Sequence, residues 1–489
     1  MLGKKQRLVK NRFVQGHGQV TRTQVRLREI DNIVDFTFFR NTVAHFFSPI
    51  GRKSIDPVVM LKMMFLGYLC ALRSDSQIIE ECIDRQSFRE FLGYDEVENI
   101  PAHTNFSNWR KRIGPEAFED ALANIVAQCE AANMRLGNAR LFDSSRIKAR
   151  ASISSSPAKA ELELAENLED YLQAFEWQTY YENPKDDPRY GEKLVVNSND
   201  PEARLLRYSN EPSRFMHKVH WEVDCKTGLV VNTTASHKPE HEIMLDFLRT
   251  EKRNVISVCA DAGYSDIECY KELERMGVKA YIPFRDHAND KGKKYHHVDF
   301  IYDKEEDIYT CPNGKRLRRY VRDKSRRRTG YKAEKTDCAC CPMRDSCIDK
   351  DTNRRTLTIS DDRPYIETIK QANQMSAYKR MMRRRKTVME GSFAHAKTWC
   401  GMTLTRGLGL AAMRIQAAIT AMVINVKKLV AHVLATAKNE QKQDVTDIKA
   451  SFGAQIPNRC LQNKILRHLA HLFKIFTHFE AILTCQCAC

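Results

Sequence analysis

Residues 255–260, Val-Ile-Ser-Val-Cys-Ala, constrain the chain most: a short apolar run that ends at Asp261. A run of this length with β-branched residues predicts a buried strand rather than a helix. Ala262-Gly263-Tyr264-Ser265 follows, and Asp266 is placed to cap a helix through Met276, after which Val278–Phe284 reads as another buried strand. Upstream, Phe215–Asp224 and Leu229–Thr234 flank the turn Lys226-Thr227-Gly228 and predict a hairpin, with a helix over Pro239–Arg253. Asn138–Asp143 becomes apolar just before its acid, Ser144-Ser145 predicts a turn, and Ile147–Ile153 a partner strand. The pattern is a mixed α/β sheet with acids, Asp143 and Asp261, at two strand ends.

A third acid stands in a different setting. Residues 378–400 predict a basic helix with one carboxylate, Glu390. Helical spacing puts Lys386, Glu390 and Lys397 on one face. Two readings stay open on this stretch alone: a surface ion pair between Glu390 and Lys386, or a metal-binding carboxylate flanked by phosphate-binding cations. Long stretches of chain separate Asp143, Asp261 and Glu390, so only tertiary folding can gather them.

The N-terminal third predicts short helices. Asp56 caps and Pro57 starts a helix through Leu69, followed by helices over Ser74–Cys82, Gln86–Leu92, a capped start near Ala102 leading to Arg110, Lys111 and Arg112, and Glu116–Asn133. This suits a helix-turn-helix-like DNA-binding domain, or a plain helical bundle that only shapes the core. A net charge of +17 and a pI near 9.2 favour a polyanionic partner, nucleic acid first. No apolar run of signal-peptide length follows the N-terminus. Ala411–Val426, interrupted by Arg414, Gln416 and Asn425, is too short to span a bilayer and reads as a core helix within Ala411–Ala435. The 16 cysteines, mostly scattered, fit a reducing cytoplasm and no membrane partner.

Four stretches in order carry a resemblance: Ile55-Asp-Pro-Val-Val-Met-Leu-Lys, Phe142-Asp-Ser-Ser, Cys259-Ala-Asp-Ala-Gly-Tyr-Ser-Asp, and Arg385-Lys-Thr-Val-Met-Glu-Gly-Ser-Phe-Ala-His-Ala-Lys with Leu404-Thr-Arg-Gly-Leu after it. The chain resembles a bacterial insertion-sequence transposase of the DDE type, with a ribonuclease-H-like core and an N-terminal helical domain. The resemblance implies Asp143, Asp261 and Glu390 as catalytic acids holding two Mg²⁺ (or Mn²⁺) ions. It also implies Lys397, Lys386, Arg385 and Arg406 as DNA-binding cations. The family's arginine position, four before the glutamate, holds Lys386 with Arg385 beside it, and Tyr378 lies farther upstream than the pattern asks. The implied partners are double-stranded DNA, namely the element's terminal inverted repeats and target DNA, with a homodimer on the DNA in the nucleoid-associated cytoplasm. The rival reading is a catalytically inactive DNA-binding relative.

Cys311, and Cys338 to Cys347, bracket a basic stretch. Cys311, Cys338, Cys341 and Cys347 would suit tetrahedral Zn²⁺, with Cys340 able to replace Cys341, and free buried cysteines as the alternative. Arg318, Arg319, Arg326, Arg327 and Arg328 would grip DNA backbone. The expected organisation is a helical DNA-binding domain over 1–136, core over 137–286, cysteine-rich insertion over 287–365, core over 366–437, and a helical tail over 438–489. A polar acidic helix is expected over Ala158–Tyr180. The tail is expected to hold a polar linker over 436–450 and a helix over Leu461–Leu483, with His468, His471 and His478 near Cys485, Cys487 and Cys489.

Overall fold

The structure, a computed structural model, describes residues 2–5, 21–51, 53–95, 98–151, 197, 199–206, 213–284, 295, 299–324, 327–348 and 352–452. The expected helix at 158–180, Arg326 and the histidines and cysteines beyond 460 lie outside the described residues.

Among the described residues, seven α-helices form the N-terminal part: α1 (Arg22–Ile33), α2 (Phe39–Val43), α3 (Pro57–Leu69), α4 (Asp75–Asp84), α5 (Gln86–Leu92), α6 (Thr104–Ile113) and α7 (Glu116–Ala131). α3 is buried along almost its whole length. Its Asp56 accepts from the Val58 N–H at 2.9 Å, as a cap should, and also pairs with Arg40 at 2.7 Å, which ties α2 to the start of α3.

The main sheet contains β1 (Ala139–Lys148), β2 (Arg204–Leu206), β3 (Arg214–Asp224), β4 (Val230–Ala235), β5 (Ser257–Cys259) and β6 (Lys279–Tyr281). Its order is β2-β3-β1-β5-β6, with β4 also paired to β3. β1 runs antiparallel to β3 and parallel to β5, and β5 runs parallel to β6. The expected turn at Ser144-Ser145 is absent. β3 is long enough to hold β1 straight from Arg140 opposite Asp224 to Lys148 opposite Met216, so both serines stay in the strand.

Helices α8 (Glu240–Thr250) and α9 (Ile267–Arg275) cover one face, closing a core around Phe142, Val258, Met244 and Leu273. The other face packs against α11 (Ser376–Trp399) and α12 (Gly409–Phe452). There the apolar core continues without a break from Leu141 and Trp221 through Ile419 and Val423 into α3 and α7. α10 (Arg363–Gln374) leads into α11. The expected linker at 436–450 is instead the continuation of α12. Gly409–Glu440 is long and apolar enough to cross a membrane by length and composition, but 67% of its most apolar window is buried, as in the core helix of a soluble protein. Polar side chains on α12 have partners inside: Asn425 bonds both the N–H and the carbonyl of Val230 on β4.

A second, antiparallel sheet is inserted between β6 and α10: β7 (Ile301–Asp303), β8 (Ile308–Thr310), β9 (Arg316–Asp323), β10 (Arg328–Ala333) and β11 (Thr356–Ser360), in the order β11-β10-β9-β8-β7. Its small core holds Phe300, Tyr309, Leu317, Tyr331 and Leu357.

Candidate active site

β1 and β5 place two acids side by side. Their parallel register pairs Leu141 with Cys259, and Asp143 and Asp261 each stand two residues farther on. Side chains alternate across a strand, so both acids share the face of Leu141 and Cys259, the face on which α11 packs. The Ser144 N–H donates to Asp143 Oδ1 at 2.9 Å, and the Gly263 N–H to Asp261 Oδ1 at 2.8 Å. Burial pushes the Asp143 carboxyl up to about 6; nearby Arg385 opposes this and the Asp261 charge reinforces it.

α11 supplies the cations. Arg385 Nη1 donates to Asp143 Oδ2 at 2.9 Å, with the arginine side chain only 14% exposed. The Lys397 ammonium, held below its usual range by burial, feels the Asp143 charge as an opposing pull. Met389, Phe393 and Ala396 form the buried face of this helix, and Phe393 stacks on Trp221 with ring centroids 4.4 Å apart. Glu390 and Lys386 are exposed, and no ion pair joins them among the described residues. The structure therefore gathers Asp143, Asp261, Arg385 and Lys397, while Glu390 and Lys386, on the helical face of Lys397, are exposed and bonded to neither aspartate. Among the described residues no three His, Cys, Asp or Glu side chains stand close enough together to hold an ion as they are placed.

Arg406 takes another part. Its guanidinium donates to the Gly67 carbonyl at 2.8 Å and lies 3.6 Å from the centroid of the Tyr68 ring, so it fastens the loop before α12 to α3 rather than facing solvent. The same loop adds to the end of β1, through Thr405 N–H to the Lys148 carbonyl at 2.9 Å.

A residue that sequence reasoning missed stands beside the acids. Glu240, the first residue of α8, receives a short hydrogen bond from Ser144 Oγ and pairs with Lys218 at 2.7 Å. Burial would raise its carboxyl, yet Lys218 and Ser144 hold it below the ordinary range. Only the preceding Pro239, which starts the helix, marked the position in sequence.

The cysteines of the second sheet come together in part. Cys311, Cys338 and Cys347 line the small core. The Lys315 N–H donates to Cys311 Sγ at 3.2 Å, and the Arg355 N–H to Cys338 Sγ at 3.5 Å. Burial raises the Cys347 thiol, and Cys338, Cys311 and Cys341 add to the rise, so all four thiols share one neighbourhood. Cys340 is exposed. Several arginines of this sheet are already ion-paired: Arg319 with Asp307 at 3.1 Å, Arg322 with Asp361 at 3.0 Å, and Arg327 with Asp362 at 2.9 Å. Arg318 and Arg328 are exposed.

Comparison with known proteins gives two matches in chain order. Residues 13–112 match a transposase domain, DUF772, and residues 310–430 match a transposase DDE domain, which includes Glu390, Lys397 and the cysteines. An uncharacterized protein, ORF8 in the nfe locus of Rhizobium meliloti, is 28% identical over 117 residues, which are 23% of this chain and 54% of that protein. The match thus spans about half the length of that relative. The cryo-EM structure of a piggyBac transposase synaptic complex with hairpin DNA is similar at 10% identity and a TM-score of 0.35, covering 93% of this chain and 86% of that one. One transposase-domain match on the N-terminal helices and a transposase DDE-domain match on the segment that carries Glu390, in chain order, support an insertion-sequence transposase of the DDE type.

Proposed function

We propose that the protein binds the terminal inverted repeats of its element and performs Mg²⁺- (or Mn²⁺-)dependent DNA cleavage and strand transfer through Asp143, Asp261 and Glu390. The observation that carries this reading is the matched register of Asp143 and Asp261 beneath a helix rich in cations. The main sheet supports a ribonuclease-H-like core, since three antiparallel strands are continued by two parallel ones.

Hard carboxylate oxygens suit Mg²⁺, and Asp143 and Asp261 already lie close enough for their charges to interact. Asp143, Asp261 and Glu390 would hold the ions, which when bound polarise the phosphodiester and lower the cost of ionising the attacking oxygen. The chain's own groups do the rest. The Ser144 and Gly263 N–H groups fix the two aspartates. Lys397 offers a point charge for a phosphate. Arg385 neutralises Asp143 while no other cation does so. Arg318 and Arg328 on the second sheet, with Lys386 on α11, add exposed positive charge for DNA backbone. The reading includes a homodimer on DNA, in the bacterial cytoplasm with the nucleoid.

The test incubates purified protein with linear DNA carrying the element's ends, a target plasmid and Mg²⁺. Nicks at the ends and 3′-ends joined to the plasmid are expected. Binding without any cleavage would favour the second reading, an inactive DNA-binding relative, which rests on Glu390 being exposed and bonded to neither aspartate.

The reading also places Zn²⁺ on Cys311, Cys338, Cys341 and Cys347. The N–H groups aimed at Cys311 and Cys338 sulfurs suit thiolate donors, and the exposure of Cys340 favours Cys341 over it. Metal analysis should find about one zinc per chain. Cys341→Ser should lose it and Cys340→Ser keep it, and equal zinc content in the two variants would refute this ligand set.

A further inference from the structure

We propose that the seam between α11, α12 and the β3–β4 turn is a phosphate-binding strip that holds the backbone of double-stranded DNA, away from the edge of α11 that bears Glu390 and Lys397. The inference rests on the proposed function and adds a second DNA contact to it.

Arg384, Val388, Gly391 and His395 recur at spacings of three and four residues and so form one edge of α11. At about 100° per residue, that edge lies away from Lys386, Glu390 and Lys397. α12 brings Lys427 and Lys428 to it, and the turn brings Lys226. Lys427 Nζ lies 3.2 Å from His395 Nε2. A Cβ on Gly228 would stand 3.2 Å from Lys428 Nζ and 3.8 Å from Val388 Cγ1, which places that ammonium in the same seam. Among the described residues, Arg384, Lys226, Lys427 and Lys428 have no carboxylate partner. Asp224, at the base of the turn, is buried and taken up by Arg140 and by the N–H groups of Gly137, Lys226 and Thr227.

Fastening the turn explains only part of this charge. Arg384 donates to the Cys225 carbonyl at 3.0 Å, and Lys428 donates to that of Gly228. Lys226 is exposed, and the Lys427 ammonium meets only an imidazole. Gathering like charges without a counter-ion is costly. Burial pushes the Lys428 ammonium down to about 8, with Arg384 adding to the fall, and burial with Lys427 and Lys428 holds His395 below its usual range. Gly391 is an independent observation. A glycine inside a helix weakens it, and here packing is not the reason, because a Cβ would meet nothing within 4 Å. Its bare backbone leaves an opening between Val388 and His395 through which a phosphate reaches the cations. Arg384 to His395 covers about 16 Å of helix, which suits a run of phosphates on one strand rather than a lone anion. Lysines acting as point charges hold that backbone whatever the sequence.

The test follows binding of a random-sequence duplex to the full-length protein by fluorescence anisotropy, in EDTA and across a salt series. Each phosphate contact contributes about 0.9 to the slope of log affinity against log salt, so Lys226→Gln/Lys427→Gln should lower the slope by about 1.8. Lys279→Gln, which removes an exposed lysine from the edge strand β6, should keep the wild-type slope. Gly391→Glu should weaken binding at least about tenfold by setting a like charge against the backbone. Gly391→Lys, of similar bulk and opposite charge, should bind at least as tightly as wild type, which separates charge from any effect on folding. An unchanged slope in the double lysine variant, wild-type binding by Gly391→Glu, or equal weakening by Gly391→Glu and Gly391→Lys would overturn the inference. The proposed function fails separately: in that case the wild-type protein leaves element ends uncut in Mg²⁺ while the slope still responds to the two lysines.

Discussion

Asp143→Asn is expected to abolish cleavage of element-end DNA in Mg²⁺ while leaving DNA binding and thermal stability near wild type. The substitution keeps the size of the side chain and an oxygen for the Ser144 N–H, and removes only the charge. Metal assistance is worth several kcal/mol of transition-state stabilisation, and about 4 kcal/mol corresponds to a thousandfold in rate, so a loss of at least that size is expected. Glu390→Gln should lose as much, which is the more demanding half of the prediction because Glu390 is exposed and neither hydrogen-bonds nor ion-pairs with the aspartates. Glu268→Gln, whose carboxylate is 65% exposed on α9, serves as the control and should cleave normally. Near wild-type nicking by Glu390→Gln would remove it from the catalytic set and leave Asp143 and Asp261 with a different third acid. A pH series sharpens the test. Asp143 sits at about 6, pushed there by burial, and below that value it is protonated and unable to hold a cation. The Mg²⁺ concentration needed for half-maximal cleavage should therefore climb as the pH falls through about 6, and a flat profile between pH 5 and 7 would speak against Asp143 as a ligand.

Much of this site could be read in the sequence, for identifiable reasons. The apolar run ending at Asp261 marks a strand end because a buried strand has little room for a charge before it leaves the core, whereas Asp143 lies inside β1, which continues to Lys148. The Asp56-Pro57 start of α3 and the hairpin turn at Lys226-Thr227-Gly228 are local signals, and the structure contains both. What escaped depends on the third dimension. Ser144 and Ser145 look like a turn until β3 is known to run alongside them. Arg385 and Lys386 are neighbours in sequence, yet one helical step sends the first to Asp143 and the second to solvent. Arg406 belongs to a motif that suggests DNA, but its position beside α3 gives it Gly67 and Tyr68 instead. Glu240 begins an ordinary amphipathic helix, and nothing local says that Gly263 would leave space beneath it.

The buried end of β1 shows the same limit and yields the largest expected effect on stability. Arg140 falls inside the 138–143 stretch with nothing in sequence to mark it, yet its side chain is wholly buried, between Glu222 at 3.1 Å, Asp224 at 2.8 Å and Glu251 at 3.7 Å. Only the contact with Asp224 is a well-formed hydrogen bond; Nε and Nη2 face Glu222 and Glu251 as charges without aligned donors. Arg140→Met fills much of the same space and leaves three buried acids without their shared cation. Removing one partner of a buried ion pair costs about 3–5 kcal/mol, and that loss is expected in urea unfolding of this variant at pH 7. The sign of its pH dependence follows from Glu222. Burial, opposed by Asn232 and Arg140, raises that carboxyl from 4.5 to about 7. A raised acid binds its proton more tightly in the folded state, so its contribution to stability is full below about 4.5 and is lost as the pH rises through about 7. Without Arg140 the carboxyl moves higher still, and the variant should be destabilised more at pH 8 than at pH 5. Adding Glu222→Gln to Arg140→Met should recover part of the loss at pH 8, because the amide still accepts from Asn232 and carries no charge. A loss below about 1 kcal/mol at pH 7 would mean that the three acids are neutral or hydrated in the folded protein, and that Arg140 is not what holds the end of β1 against β3.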